Sequence, residues 1–151
     1  MKKKVLIFVM CNRKLLALRN NPQNPKHGGD FWFVVIGEVK KGENRIDAVK
    51  REIKEETGLN SKEILFLNWG SIYEWERDLC KELNFVSFVD SGNVTLNEEH
   101  TEYEWLDIGD FIERIKWYGD KKILGKVLEK ALNKKQYFRK RKIKDYRNIF
   151  I

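Results

Sequence analysis

Between Gly37 and Leu59 the chain reads GEVKKGENRIDAVKREIKEETGL. Glu55 and Glu56 follow Glu52 by three and four residues, directly behind Arg51, and Gly37, Glu43 and Gly58 frame the set. Carboxylate oxygens are hard ligands that suit Mg²⁺ first and Mn²⁺ next, and a Mg²⁺ held by few protein groups keeps waters and binds substrate phosphates. The chemistry on offer is hydrolysis of a phosphoanhydride, a favourable reaction that is slow until charge is neutralised and a water is oriented. No Ser/His/Asp or Cys/His grouping is present to support a covalent intermediate, so direct attack by water is expected.

A helix must carry these groups. From Asn44 or Arg45 to Thr57 the residues are good helix formers without Pro or Gly, and Gly58 stands where a left-handed cap ends a helix. At about 100° per residue, positions 52, 55 and 56 share one face, while Ile46, Val49 and Ile53 form an apolar stripe roughly a quarter turn away. The stripe is expected to be buried and the carboxylates to face outward. Like charges at this spacing repel by a few tenths of a kcal/mol per pair, a cost that a divalent cation removes. The heptapeptide KREIKEE alone reads as a solvated face laced with ion pairs. Gly37, Glu43 and Gly58 decide against that reading: the glycines Gly37 and Gly42 bracket a turn after an apolar strand, and Glu43 can reach Arg51 or the helix N-terminus.

Written as Gly37-x5-Glu43-x7-Arg51-Glu52-Ile53-x-Glu55-Glu56-x-Gly58-Leu59, the segment resembles the signature of the Nudix hydrolases at every defining position. The resemblance implies an α/β (α+β) Nudix fold, a mixed β-sheet sandwiched between helices, over about residues 3 to 133. It implies that Glu52, Glu55 and Glu56 hold Mg²⁺, with Gly37 beside them, and that Arg51 orients a glutamate through an ion pair that also involves Glu43. Asn97-Glu98-Glu99-His100 followed by Tyr103-Glu104-Trp105-Leu106 resembles a block in Nudix enzymes acting on nucleoside triphosphates, dihydroneopterin triphosphate and dinucleoside polyphosphates. There Glu99, or else Glu98, would supply a further metal ligand or the general base. Val35-Ile36 stand where many members carry Pro-Gly. With Phe31-Trp32, Trp105-Leu106-Asp107 and Lys116-Trp117, this is similar to the bacterial dihydroneopterin triphosphate (dATP) pyrophosphohydrolases, which implies release of pyrophosphate from a triphosphate. Dinucleoside polyphosphate hydrolysis, ADP-ribose hydrolysis, RNA 5′-end processing and a non-catalytic nucleotide-binding regulator stay open beside it. An aromatic platform for the base or pterin is expected from Trp32 and Tyr73, among Trp69, Trp75, Phe85 and Trp117.

The rest of the chain must supply the scaffold. Short apolar runs at Lys4 to Met10 and Leu15 to Arg19 predict a hairpin turning at Asn12-Arg13, and Phe31 to Ile36 predicts a central strand. Strands at Ile64 to Glu76 and Leu83 to Asp90 with a turn over Arg77 to Lys81, a polar loop from Ser91 to His100, a strand at Tyr103 to Leu106, and helices at Gly109 to Lys116 and Asp120 to about Lys134 complete the order. At 151 residues one domain over residues 1 to 133 is expected, followed by a basic tail or helix over 134 to 151. That segment holds eight basic residues and one acid, so it carries the whole net charge of +7. Its composition is compatible with nucleic-acid contact, with a solubilising terminus, or, through its interleaved apolar residues, with docking on the domain or a second subunit in a homodimer. No stretch of 18 apolar residues occurs, and Cys11 and Cys80 have no ligand-spaced partners, which together suggest a cytoplasmic protein with reduced thiols and no membrane association.

Overall fold

Strand β1 (Lys2–Cys11) is buried without interruption from Val5 to Met10, a pattern that requires cover on both sheet faces. Alternation sends Leu6, Phe8 and Met10 into one core and Val5, Ile7 and Val9 into another. The computed structural model describes residues 1–24, 29–134 and 149–150. The expectations for the basic segment therefore concern residues almost all of which lie outside those described.

Around β1 the sheet is mixed, as expected. β2 (Lys14–Asn20) folds back through Asn12 and Arg13, both at positive φ as a type I′ turn demands, with Cys11 opposite Lys14. β3 (Trp32–Phe33) pairs with β2, and β4 (Val35–Glu38) pairs antiparallel with β1, placing Gly37 opposite Val5. The continuous strand expected over Phe31 to Ile36 is thus two short ones on different partners, broken at Val34. β5 (Ser61–Trp75) and β6 (Asp78–Val89) form a long hairpin, and β6 runs parallel to β1. Their turn is Glu76-Arg77, again at positive φ, rather than the expected Arg77 to Lys81. β7 (His100–Leu106) lies along β2, and the two-residue β8 (Ile149–Phe150) meets β5 at Ser71.

Helix α1 (Arg45–Thr57) covers the Val5 face through Ala48, Val49 and Ile53. α2 (Ile108–Arg114) and α3 (Lys121–Leu132) cover the Phe8 face through Phe111, Leu124, Val127 and Leu128. Asn44 caps α1 with its side chain, accepting from the Asp47 amide at 2.8 Å, and Gly58 ends it at φ 72 with its amide on Lys54 O at 3.0 Å. A left-handed cap of this kind favours glycine. Gly58→Ala is expected to cost about 1 kcal/mol, read as a lower denaturant midpoint, because the added Cβ also sits 3.3 Å from Thr95 Cβ. An unchanged midpoint would show that the cap is unstrained. Among the described residues no helix is long and apolar enough to cross a membrane, and both cysteines are free thiols, Cys80 buried and Cys11 half-buried.

Candidate active site

The carboxylates of α1 are placed by two contacts that spacing alone does not specify. First, α1 lies so close to β4 that a Cβ on Gly37 would fall 2.0 Å from Glu52 Cδ, so the Glu52 carboxyl occupies the space a side chain at position 37 would fill. Second, Arg51 ties the loop to the helix. It donates two bonds to Glu43, Nε to Oε2 at 2.8 Å and Nη2 to Oε1 at 2.9 Å, and Nη2 also reaches the Glu38 carbonyl at 2.9 Å. Its Nη1 serves Glu52 Oε1 at 2.7 Å and Glu55 Oε2 at 3.3 Å. The fork geometry of guanidinium makes this possible where lysine would reach fewer acceptors. Paired with Arg51 and accepting the Lys40 amide, Glu43 is held at a pKa of about 2, well below the carboxylate range.

The expectation that all three carboxylates face outward is not met. Glu55 is half-exposed, but Glu52 is 8% and Glu56 only 2% exposed, while Ile46, expected in the buried stripe, is 41% exposed. The buried stripe runs through Ala48, Val49 and Ile53 instead, turned toward the β1–β6 face, which draws positions 52 and 56 against β4 and the end of β7. Glu56 Oε2 is buried without a hydrogen-bond partner, and Oε1 lies 3.7 Å from His100 Nδ1. Burial, then the neighbouring carboxylates Glu52, Glu99 and Glu55, push the Glu56 carboxyl well above its usual pKa. Burial raises Glu52 as well, with the Arg51 contact opposing it.

The loop before β7 lines the same cleft as α1. Glu99 acts on Glu56 electrostatically, its amide donates to Asn97 Oδ1 at 3.0 Å, and Asn97 Nδ2 donates to its Oε2 at 3.2 Å. Backbone bonds from Asn21 to Glu99 O at 3.0 Å and from its side chain to Glu98 O at 2.9 Å pin the loop to the strand end beyond β2. A cleft of about 700 Å³ lies between this loop and α1, lined by Glu98, Glu99, Arg51, Glu52, Glu55 and the segment Glu38 to Lys41. Lys40 and Lys41 on its rim, and Asn97 behind Glu99, are site residues that sequence reasoning missed. Their signal was position, two cations inside the Gly37–Glu43 loop and an amide two residues before the acid. Trp32 and Tyr73 do not line this cleft: Trp32 packs at the other core with Arg114 over its ring at 4.9 Å, and the Tyr73 hydroxyl donates to buried Glu82 at 2.7 Å.

The donor set fits a hard divalent cation. Four carboxylates act on one another around an orphaned buried oxygen, an arrangement that a positive charge relieves. Among the described residues no three His, Cys, Asp or Glu side chains stand so that together they could hold a metal ion as they are arranged here. Glu52 and Glu55 are turned to Arg51, and with Glu56 they are the residues that would hold such a cation.

The family model for the NUDIX domain matches residues 1–127. An octanoyltransferase of Myxococcus xanthus is 30% identical over 111 residues, covering 70% of this chain and 30% of that protein. The NAD-capped RNA hydrolase NudC of Vibrio parahaemolyticus is 33% identical over 100 residues, covering 64% of this chain and 35% of that one. The chain spans about a third of the length of the curated relatives it matches. The solved dihydroneopterin triphosphate pyrophosphohydrolase of E. coli superposes with a TM-score of 0.65 at 19% identity, over 87% of this chain and 95% of that one, a likeness of fold. With the signature residues standing where that fold brings Gly37, Arg51 and the carboxylates of α1 together, the chain belongs to the NUDIX domain family, a family of hydrolases.

Proposed function

We propose that the protein hydrolyses a phosphoanhydride bond in a nucleoside-diphosphate-linked substrate with Mg²⁺, and that its substrate is a nucleoside triphosphate, a deoxynucleoside triphosphate or dihydroneopterin triphosphate from which pyrophosphate leaves. The observation that carries this reading is Glu56, a buried carboxylate with one oxygen unpartnered that feels the charges of Glu52, Glu99 and Glu55 beside a cleft edged by Lys40 and Lys41. Glu52, Glu55 and Glu56 would hold Mg²⁺, which when bound neutralises phosphate charge and acidifies a water. Arg51 keeps Glu52 and Glu55 oriented, Lys40 and Lys41 attract the phosphates, and Glu99 accepts the proton of the attacking water. A nucleotide panel in Mg²⁺, assayed for pyrophosphate against phosphate, tests the reading. Phosphate alone from dATP, or activity confined to ADP-ribose, removes the triphosphate assignment.

The relationship to the NAD-capped RNA hydrolase favours a second reading, cleavage of a dinucleotide pyrophosphate at an RNA 5′ end. Capped RNA in the same panel separates the two, since this reaction yields two monophosphates and no pyrophosphate. Under either reading Glu99→Gln is expected to lower the rate at saturating substrate by ~10²- to 10⁴-fold, the usual worth of a positioned base, with nucleotide affinity in Ca²⁺ near that of the parent protein. If Glu99→Gln is fully active and Glu98→Gln is dead, the base is Glu98; if both are active, the loop has no chemical part.

A further inference from the structure

A second cavity, of about 350 Å³, opens between the start of α1 and the β5–β6 hairpin. Among the described residues it has no lining residue in common with the acidic cleft. At about 100° per residue Ile46, which walls this cavity, stands half a turn around α1 from Glu55, which lines the cleft, so the two lie on opposite flanks of the helix. The floor is Phe66, Leu83 and Phe85, with the two phenyl rings tilted against each other at 5.3 Å between centroids. Phe66 and Leu83 are only partly buried and Ile46 is 41% exposed, so α1 leaves apolar surface uncovered here. The strand ladder is irregular at the same place: β5 advances four residues from Phe66 to Gly70 while β6 advances two, from Leu83 to Phe85, and Asn68 takes φ 50. Bulges re-aim side chains and are frequent beside functional sites.

Arg45 gives the cavity its charge. It is the first residue of α1, where the helix dipole disfavours a cation. Its side chain is half-buried, its Nε has no acceptor among the described residues, and Nη2 reaches the Lys81 carbonyl at 3.4 Å, a long contact. Burial lowers its pKa and no carboxylate opposes that shift, although Asp47 lines the same cavity. A cation kept against its dipole, its burial and its unmet donor is explained by an anion bound beside it. The basic segment from 134 to 151, with eight cations and one acid, has the wrong sign to be that occupant. A triphosphate is unsuited as well, because its several charges would be desolvated against Phe66, Leu83 and Ile46. One guanidinium beside a ring-lined floor matches a flat apolar body with a single carboxylate, which the guanidinium fork grips while the rings pack on the body. The volume is at the small end of ligand cavities, roughly 300–1,000 Å³, and suits one or two fused rings.

We propose that this cavity is a second ligand site, taking a one- or two-ring aromatic monocarboxylate whose carboxylate pairs with Arg45 and whose rings lie on Phe66, Leu83 and Ile46. Binding there needs neither a metal nor turnover, so its test stands apart from the hydrolytic reading. The full-length protein is titrated calorimetrically with naphthoate and with its neutral counterpart, naphthamide. Saturable one-to-one binding of naphthoate is expected, about tenfold or more tighter than the amide, the difference between a charge-assisted and a neutral hydrogen bond. Arg45→Met, which keeps the apolar stem and loses the charge, should bring naphthoate down to the affinity of the amide. If Arg45→Met fails to fold, Ile46→Asp on the exposed wall should weaken naphthoate more than the amide, through the added like charge. Lys40→Ala combined with Lys41→Ala removes the cations at the rim of the acidic cleft and should leave naphthoate affinity unchanged. No saturable binding, equal affinity for acid and amide, or unchanged naphthoate affinity in the folded Arg45 or Ile46 variant would overturn the assignment. Loss of binding in the Lys40, Lys41 variant would overturn it too, by placing the anion in the acidic cleft.

Discussion

Replacing Glu56 by Gln is expected to lower turnover a hundredfold or more, about 3 kcal/mol of barrier, while making the metal-free protein more stable. The two effects share one cause. Glu56 is almost completely buried among Glu52, Glu55 and Glu99, with Oε2 unpartnered, so its ionised form is disfavoured in the folded chain. A carboxyl whose folded pKa lies above its unfolded value near 4.5 contributes stability that is fully present below about that pH and is lost as pH rises through the raised folded value. At neutral pH the wild type therefore carries a penalty that the neutral amide lacks. A gain of about 1 kcal/mol, or about 2–4 °C in a chain of this length, is expected for the variant, growing with pH across the window above the ordinary carboxylate range. Glu43, held low by Arg51, works in the opposite sense in both proteins and cancels, so the difference between them reports Glu56 together with the Glu52 carboxyl it contacts. Millimolar Mg²⁺ should raise the melting temperature of the wild type and raise that of Glu56→Gln much less, since a cation that binds only the folded site stabilises it by mass action. Wild-type turnover in Glu56→Gln would remove Glu56 from the site, and lower stability of the metal-free variant would refute the account of its burial.

How far the sequence reveals this site depends on what spacing can encode. The start and end of α1 follow from the run of helix formers and from Gly58, and the Glu43–Arg51 pair is legible because two oppositely charged side chains flank one helix entry. The angle per residue says which carboxylates share a face, but not which face the sheet covers. Ile46 looks like core by that measure and is exposed, while Glu52 and Glu56 look like surface and are buried, because the direction in which α1 lies on β4 is a tertiary fact. The same limit explains Tyr73, whose position on a strand says nothing of which helix or carboxylate lies above it. Backbone acceptors are invisible to motifs altogether, so the Glu38 carbonyl that fixes Arg51 had no signal. Turn positions suffered differently: Asn12-Arg13 was recognisable from the flanking strands, whereas Glu76-Arg77 lies inside a polar stretch where several two-residue turns fit equally well.

Gly37→Ala is expected to reduce turnover by a hundredfold or more with a smaller effect on folding, and the reason lies in which atoms must move. Gly37 does not occupy the left-handed region, so an alanine meets no backbone strain, and its pairing with Val5 does not involve the side chain. The new methyl would stand 2.0 Å from Glu52 Cδ and 2.2 Å from Oε1, which forces that carboxyl out of its place. The clash is with the far end of a flexible side chain, so rotation of Glu52 relieves it at about 1–3 kcal/mol. Chemistry tolerates the movement less well, because Glu52 Oε1 is also the acceptor that fixes Arg51 Nη1 at 2.7 Å, and a misplacement on the order of 1 Å is enough for a hundredfold loss. Gly109→Ala, whose Cβ would meet nothing within 4 Å, serves as the control and should behave as wild type. The decisive measurement is a double-mutant cycle with Glu52→Ala. If Gly37 acts through the Glu52 carboxyl, the alanine at 37 costs little once that carboxyl is gone, and the two losses are strongly non-additive. Additive losses would mean that Gly37 serves the site by another route, such as its carbonyl facing the cation, and full activity of Gly37→Ala alone would mean that the packing of α1 against β4 leaves more room than these distances allow.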